Sequence, residues 1–158
     1  MNWLNLARAA RALSLGVWLG ASIMVFIAAP IVFEKLAPDR TKAGEVVGSI
    51  LHAAAFFTMA LAAVALLSEG TLFFNADSAG WRRIVPAASL VAAVLIMVVL
   101  MTYIGPKIEA LREQIGVFTP ANADSPERKT FGALHGASMG LSLLQTILVA
   151  VALIIVLL

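Results

Sequence analysis

Four stretches of this chain carry no charged residue: 12–33, 46–68, 84–106 and 130–158. They run from 22 to 29 residues, and every Lys, Arg, Asp and Glu lies outside them. A helix needs about 20 apolar residues to cross roughly 30 Å of hydrocarbon. Each stretch is long enough for one crossing and too short for two. Charged residues make up only 13% of the chain and hydrophobic ones 61%, with a mean hydropathy of +0.98. Soluble domains carry about 25% charged residues, so this chain lacks the polar groups to cover a water-facing surface. The pattern excludes a soluble enzyme, a disordered chain and a nucleic-acid binder. It also excludes a transmembrane β-barrel, because runs such as 87–101 do not alternate apolar with polar residues.

The expected fold is therefore all-α: an integral membrane four-helix transmembrane bundle. One transmembrane domain covers 1–158, with spans at about 12–33, 46–67, 84–103 and 133–158. Arg8 and Arg11 precede the first apolar stretch as in a signal peptide. That stretch exceeds the usual 7–15-residue signal core, and three spans follow, so it reads as an uncleaved first helix. Gly70 is placed to cap the second helix, Asp77 or Ser78 to start the third, and Trp81 to anchor it at the interface. Ser125-Pro126-Glu127 supplies a cap residue, a first-turn proline and an acid, so the last helix begins outside the bilayer. Pro30 and Pro106 stand at helix exits, where they terminate or kink. Ile108, Leu111 and Ile115 share one face beyond the third span, which suits either an interfacial helix or a solvated tail of that span.

Small residues recur at four-residue spacing: Gly16 and Gly20, Gly44 and Gly48, Ala88 and Ala92, and Gly132, Gly136 and Gly140. Such spacing lets membrane helices approach closely, which favours a compact bundle. The halves of the chain also look alike. Pro30 and Pro106 are each followed by an acid and a leucine. Pro38-Asp39-Arg40 parallels Pro126-Glu127-Arg128, and Leu51-His52-Ala53-Ala54 parallels Leu134-His135-Gly136-Ala137. This weak repeat reads as a helical hairpin used twice. Four spans place both termini on one side, with Arg8, Arg11, Arg82 and Arg83. The other side has seven basic residues, but also seven acids, so the positive-inside rule leaves the orientation open.

Cysteine is absent, which removes disulfides, thiol nucleophiles and iron–sulfur ligation. His52 and His135 are the only ionisable groups within the apolar windows, and an intramembrane ionisable residue is by default a functional candidate. Counting from the helix ends puts His52 about 6 Å inside the membrane edge and His135 about 6 Å outside it. Met59 lies seven residues after His52 and Met139 four after His135, each on its histidine's face. Imidazole with thioether suits Cu(I), and two imidazoles suit haem. A histidine near an interface equally serves to hydrogen-bond a carbonyl or water, and methionine is a common apolar filler. Glu34, Glu45, Glu109 and Arg112 form either an interfacial cluster or ordinary solvated helix flanks. The windows hold no carboxylate pair, no serine-nucleophile motif and no phosphate loop.

Leu15-Gly16-Val17-Trp18-Leu19-Gly20, Ala29-Pro30-Ile31-Val32-Phe33, Ala43-Gly44-Glu45-Val46-Val47-Gly48 and Phe131-Gly132-Ala133-Leu134-His135-Gly136-Ala137-Ser138 resemble blocks of the transmembrane-protein-205-like family. The resemblance spans about residues 13–145 and implies four helices and no assigned reaction. More distantly, Trp18, Pro30 and Phe33 look like the copper-resistance D and protoporphyrinogen-oxidase J membrane families, some of which handle copper or haem. The leading reading is a small polytopic membrane protein of unknown process, a non-enzymatic accessory or interaction component. One alternative is a haem- or copper-binding membrane protein using His52 and His135, with Met59 and Met139 as further metal ligands. Another is a small-molecule permease or resistance factor. The expected partners are the lipid bilayer and a second copy or another membrane protein, with no nucleic acid. The expected location is a bacterial inner membrane.

Overall fold

A backbone that enters hydrocarbon must satisfy its own hydrogen bonds, so a crossing segment closes into a helix. The computed structural model describes residues 2–37, 39–75 and 80–158. Among them almost all backbone is helical and no strand occurs. Helix α1 covers Trp3–Lys35 and α2 covers Arg40–Asn75. Helix α3 (Trp81–Val99) passes through a π-helical turn at Leu100–Ile104 into α4 (Gly105–Ile115). A short 3-10 turn at Pro120–Asn122 precedes α5 (Pro126–Leu157). Four of the continuous helical runs among the described residues are long and apolar enough to cross a membrane: α1, α2, α3 continued through α4, and α5.

Every crossing helix begins before its apolar window, and all but α5 also run past its end. Asn2 caps α1 by accepting the Leu4 N–H at 3.2 Å, and Asp39 accepts the Lys42 N–H at 2.9 Å at the start of α2. Ser125 caps α5 by accepting the Arg128 N–H at 3.2 Å, with Pro126 at the first helical position, as its triplet predicts. The 36 residues of α2 make about 54 Å of helix, well beyond a bilayer core. Gly70 does not end α2; the helix runs through it to Asn75. The proposed caps Asp77 and Ser78, and Pro38 of the repeat, lie outside the described residues.

The helices form a ring. α1 packs chiefly on α2, and α3 chiefly on α5. The α1–α5 contact joins the two hairpins, and the α2–α3 contact is the slightest side of the ring. α2 and α5 lie across the diagonal from one another. The core is Leu15 and Trp18 of α1, Ala62 and Ala65 of α2, Leu90, Ala93 and Met97 of α3, and Val149 and Ala152 of α5. These positions fall in the first half of α1 and of the continuous run from α3 through α4, and in the second half of α2 and α5. The tight packing therefore occupies the half of the bundle that carries the N-terminus. Four of the nine core residues are alanines with almost no exposed surface, and they, not the glycines, let the backbones approach.

Pro30 and Pro106 are both carried through. α1 continues past Pro30 to Lys35, and α4 continues past Pro106 to Ile115. Pro106 lacks the N–H that would reach the Thr102 carbonyl, and its ring crowds that carbonyl. The π-helical turn just before it widens the helix, and the Gly105 N–H closes onto the Leu100 carbonyl. α4 is thus a continuation of the third span that packs on α5, not a separate helix in the interface. It ends at Gly116, whose φ of 61° is left-handed and whose N–H bonds the Arg112 carbonyl at 3.0 Å. Gly105 has a stricter reason to be glycine. A Cβ there would lie 2.9 Å from the Leu100 carbonyl oxygen, a backbone atom that cannot swing aside. Gly105→Ala is expected to destabilise the protein by about 1–3 kcal/mol, the usual cost of overpacking. The check is a lowered thermal unfolding midpoint in detergent; an unchanged midpoint would show that the turn relaxes freely.

Candidate functional site

The polar residues that the bundle buries are few. Arg11 of α1 donates from Nη1 to Oε2 of Glu69 of α2 at 2.7 Å. The side chains are 16% and 8% exposed, so this is a shielded ion pair at the packed end of the bundle. The charge-free windows hide it, since Arg11 stands one residue before the first and Glu69 one residue after the second. Opposite charges flanking two windows on the same membrane side were the available signal. Ser14 donates to the Arg11 carbonyl at 3.1 Å, which ties the next turn of α1 to the pair. Beneath it, Trp18 is fully buried, and its indole N–H has no hydrogen-bond partner among the described residues.

At the opposite end Arg112 of α4 lies 3.9 Å from Glu45 of α2 and 3.7 Å from Glu109. Its guanidinium passes over Gly48, where a Cβ would meet Nη1 at 3.3 Å. Three members of the proposed interfacial cluster are therefore together, while the ion pairs of Arg112 do not include Glu34. Both carboxylates are more than 60% exposed, so these bonds are weak. Here Phe118 stacks edge-on against Phe131 at 5.2 Å, and the Arg128 guanidinium lies 4.8 Å from the Phe118 ring centre.

His52 is exposed on α2 and meets Phe56 edge-on at 4.9 Å. His135 is exposed on α5 and stacks on Phe131 at 5.8 Å, with the rings nearly parallel at 4°. Met59 and Met139 are also exposed, at 43% and 53%. The four candidates form two outward-facing pairs on diagonal helices, and no hydrogen bond or ring contact joins one pair to the other among the described residues. His135 and Met139 are neighbours on one helical face. Among the described residues no group of three or more His, Asp or Glu is placed to hold a metal ion.

A four-helix, multi-pass membrane protein is the class that this architecture defines. A sequence family described as a domain of unknown function (DUF4149) matches residues 13–116, well over half of the chain. The chain belongs to that family. The transmembrane-protein-205-like and copper-resistance families are not what this match shows. No curated protein and no solved structure matches the chain.

Removing one member of a buried ion pair strands the other. Glu69→Ala is expected to destabilise the bundle by about 3–5 kcal/mol, read as a lower thermal midpoint in detergent. The double variant Arg11→Met with Glu69→Leu should recover most of that loss. A single variant as stable as the parent would show that water already reaches the pair.

Proposed function

We propose that this protein is a non-enzymatic accessory component of a membrane, working through lateral contact with another membrane protein or a second copy of itself. The observation that carries this reading is the outward face of α5. Gly132, Gly136 and Gly140 are exposed there, and a Cβ at any of them would meet no atom within 4 Å. The half-buried residues of that segment, Leu134, Ser138, Leu141 and Ser142, lie on the opposite side of the helix, so the glycine row points away from the bundle. Lipid gains nothing from glycine, whereas a neighbouring helix gains close backbone approach. The buried polar groups, by contrast, serve the bundle itself. Arg11 and Glu69 tie α1 to α2, and Thr58 bonds carbonyls of its own helix. A bacterial inner membrane is the setting this reading assigns, since helical bundles, not barrels, populate it. A photoreactive residue in place of Ala137, used in native membranes, should yield a discrete adduct that Gly136→Leu abolishes without lowering the thermal midpoint. Absence of any protein adduct would defeat the reading.

A second reading is haem or Cu(I) binding through His52 and His135, and one observation favours it: His135 and Met139 lie side by side, exposed, on one face of α5. Imidazole and thioether together are a soft donor set. Because the two histidines face outward from diagonal helices, each would hold its own group at the periphery of the bundle, with Met139 beside His135. Protein from haem- and copper-supplemented cells should then show a Soret band or stoichiometric copper that His135→Ala removes. A colourless, metal-free and folded preparation would dismiss this reading and leave the first in place.

A further inference from the structure

The slightest side of the ring, between α2 and α3, leaves a lateral groove. Two adjoining cavities of about 460 and 230 Å³ form it, and Phe73, Ala87 and Val91 line both. The α3 wall is a helical stripe of Ile84, Ala88, Val91 and Leu95, and Phe73 and Phe74 stand opposite on α2. The lining is apolar apart from Glu69, which is already held by Arg11. The groove is shallow and open along its length, with Ile84, Val91 and Leu95 at least half exposed.

We propose that this groove holds one acyl chain of an anionic phospholipid, with the lipid's phosphate at the basic first turn of α3, Arg82-Arg83. Length argues for a chain. From Ile84 to Leu95 is 11 residues, or about 16 Å of helix, and one leaflet of a roughly 30 Å hydrocarbon core is about 15 Å deep. Depth argues for a lipid in register with its leaflet. Trp81 and Arg82 stand one turn outside Ile84, both exposed, with the Arg82 guanidinium 5.5 Å from the Trp81 ring centre. Arg83 lies over Phe73, 4.1 Å from the ring centre, one of the three residues that line both depressions. Charge argues for an anionic headgroup. Among the described residues this end carries Arg8, Arg11, Arg82 and Arg83 against Glu69, while the other end balances seven basic with seven acidic side chains. The groove is on a different side of the bundle from the α5 glycine row, so the two proposals stand or fall separately.

The experiment is native mass spectrometry of the full chain, extracted in mild detergent from vesicles of equal phosphatidylglycerol and phosphatidylcholine. One phosphatidylglycerol per chain should stay bound through delipidation that strips phosphatidylcholine. Ala88→Phe fills the groove and should abolish that retained lipid; Ile84→Trp blocks its mouth and should do the same if Ala88→Phe fails to fold. Arg82→Gln should reduce the preference for phosphatidylglycerol about fivefold, the factor expected for one basic residue at a membrane surface. Ala133→Phe, on the outward face of α5, should leave binding unchanged. Equal retention of the two lipids, no retained lipid, undiminished binding in a folded groove-filled variant, or a protein partner in place of lipid would each overturn the proposal.

Discussion

Hydrocarbon offers no hydrogen bonds, and that single deficit organises the molecule. Each crossing segment closes its backbone into one unbroken helix. The side-chain hydroxyls follow the same rule. Ser22, Thr58, Thr102 and Thr146 each donate to a carbonyl of their own helix three or four residues back. Pro106 is the point where the rule is hardest to meet, and the helix answers by widening into a π turn and continuing. Gly105 follows from that answer, because only hydrogen in place of Cβ leaves room for the Leu100 carbonyl.

The same deficit explains why the bundle is uneven. Apolar side chains gain little by leaving lipid for a protein interior, so helices stay together where packing is close or polar groups meet. Both conditions coincide at one end. Alanines at 62, 65, 93 and 152 allow the close approach, and Arg11 with Glu69 supplies the polar contact. Toward the other end the helices share fewer buried residues, and Arg112 reaches across α2 only by lying over Gly48. The buried pair Arg11–Glu69, beside two charge-free windows, is thus more consequential than the larger number of exposed charges elsewhere.

What the sequence made legible follows the same physics. Charge-free windows report hydrocarbon, so the number and order of the crossings were readable, as was the Ser125-Pro126 start of α5. Helix ends were not, because hydrogen bonding continues past the edge of the apolar region wherever a cap such as Asn2 or Asp39 supports it. The inward face of each helix was not readable either. In a soluble helix the polar face marks the outside, but here lipid is as apolar as the core, so hydropathy does not separate Trp18, which is buried, from Val17, which is exposed. The outward placement of His52 and His135 was hidden for that reason. So was the division of labour among small residues, in which alanines pack the interior and the α5 glycines face out.

That division bears on what the outer surface is for. A small residue inside a bundle is explained by the helix it touches. Gly132, Gly136 and Gly140 touch none, and Gly costs a helix interior about 1 kcal/mol relative to Ala. Three such positions on one exposed row burden α5 without any return from its own bundle. The α2–α3 groove is different, because its small residues, Ala87, Ala88 and Ala92, line a concavity whose length and charged rim suit a chain from the surrounding leaflet. The flat glycine row gives no such concavity and instead permits the close approach of a second backbone. One bundle therefore presents two unlike surfaces to the membrane, a groove shaped for lipid and a row bare enough for a helix.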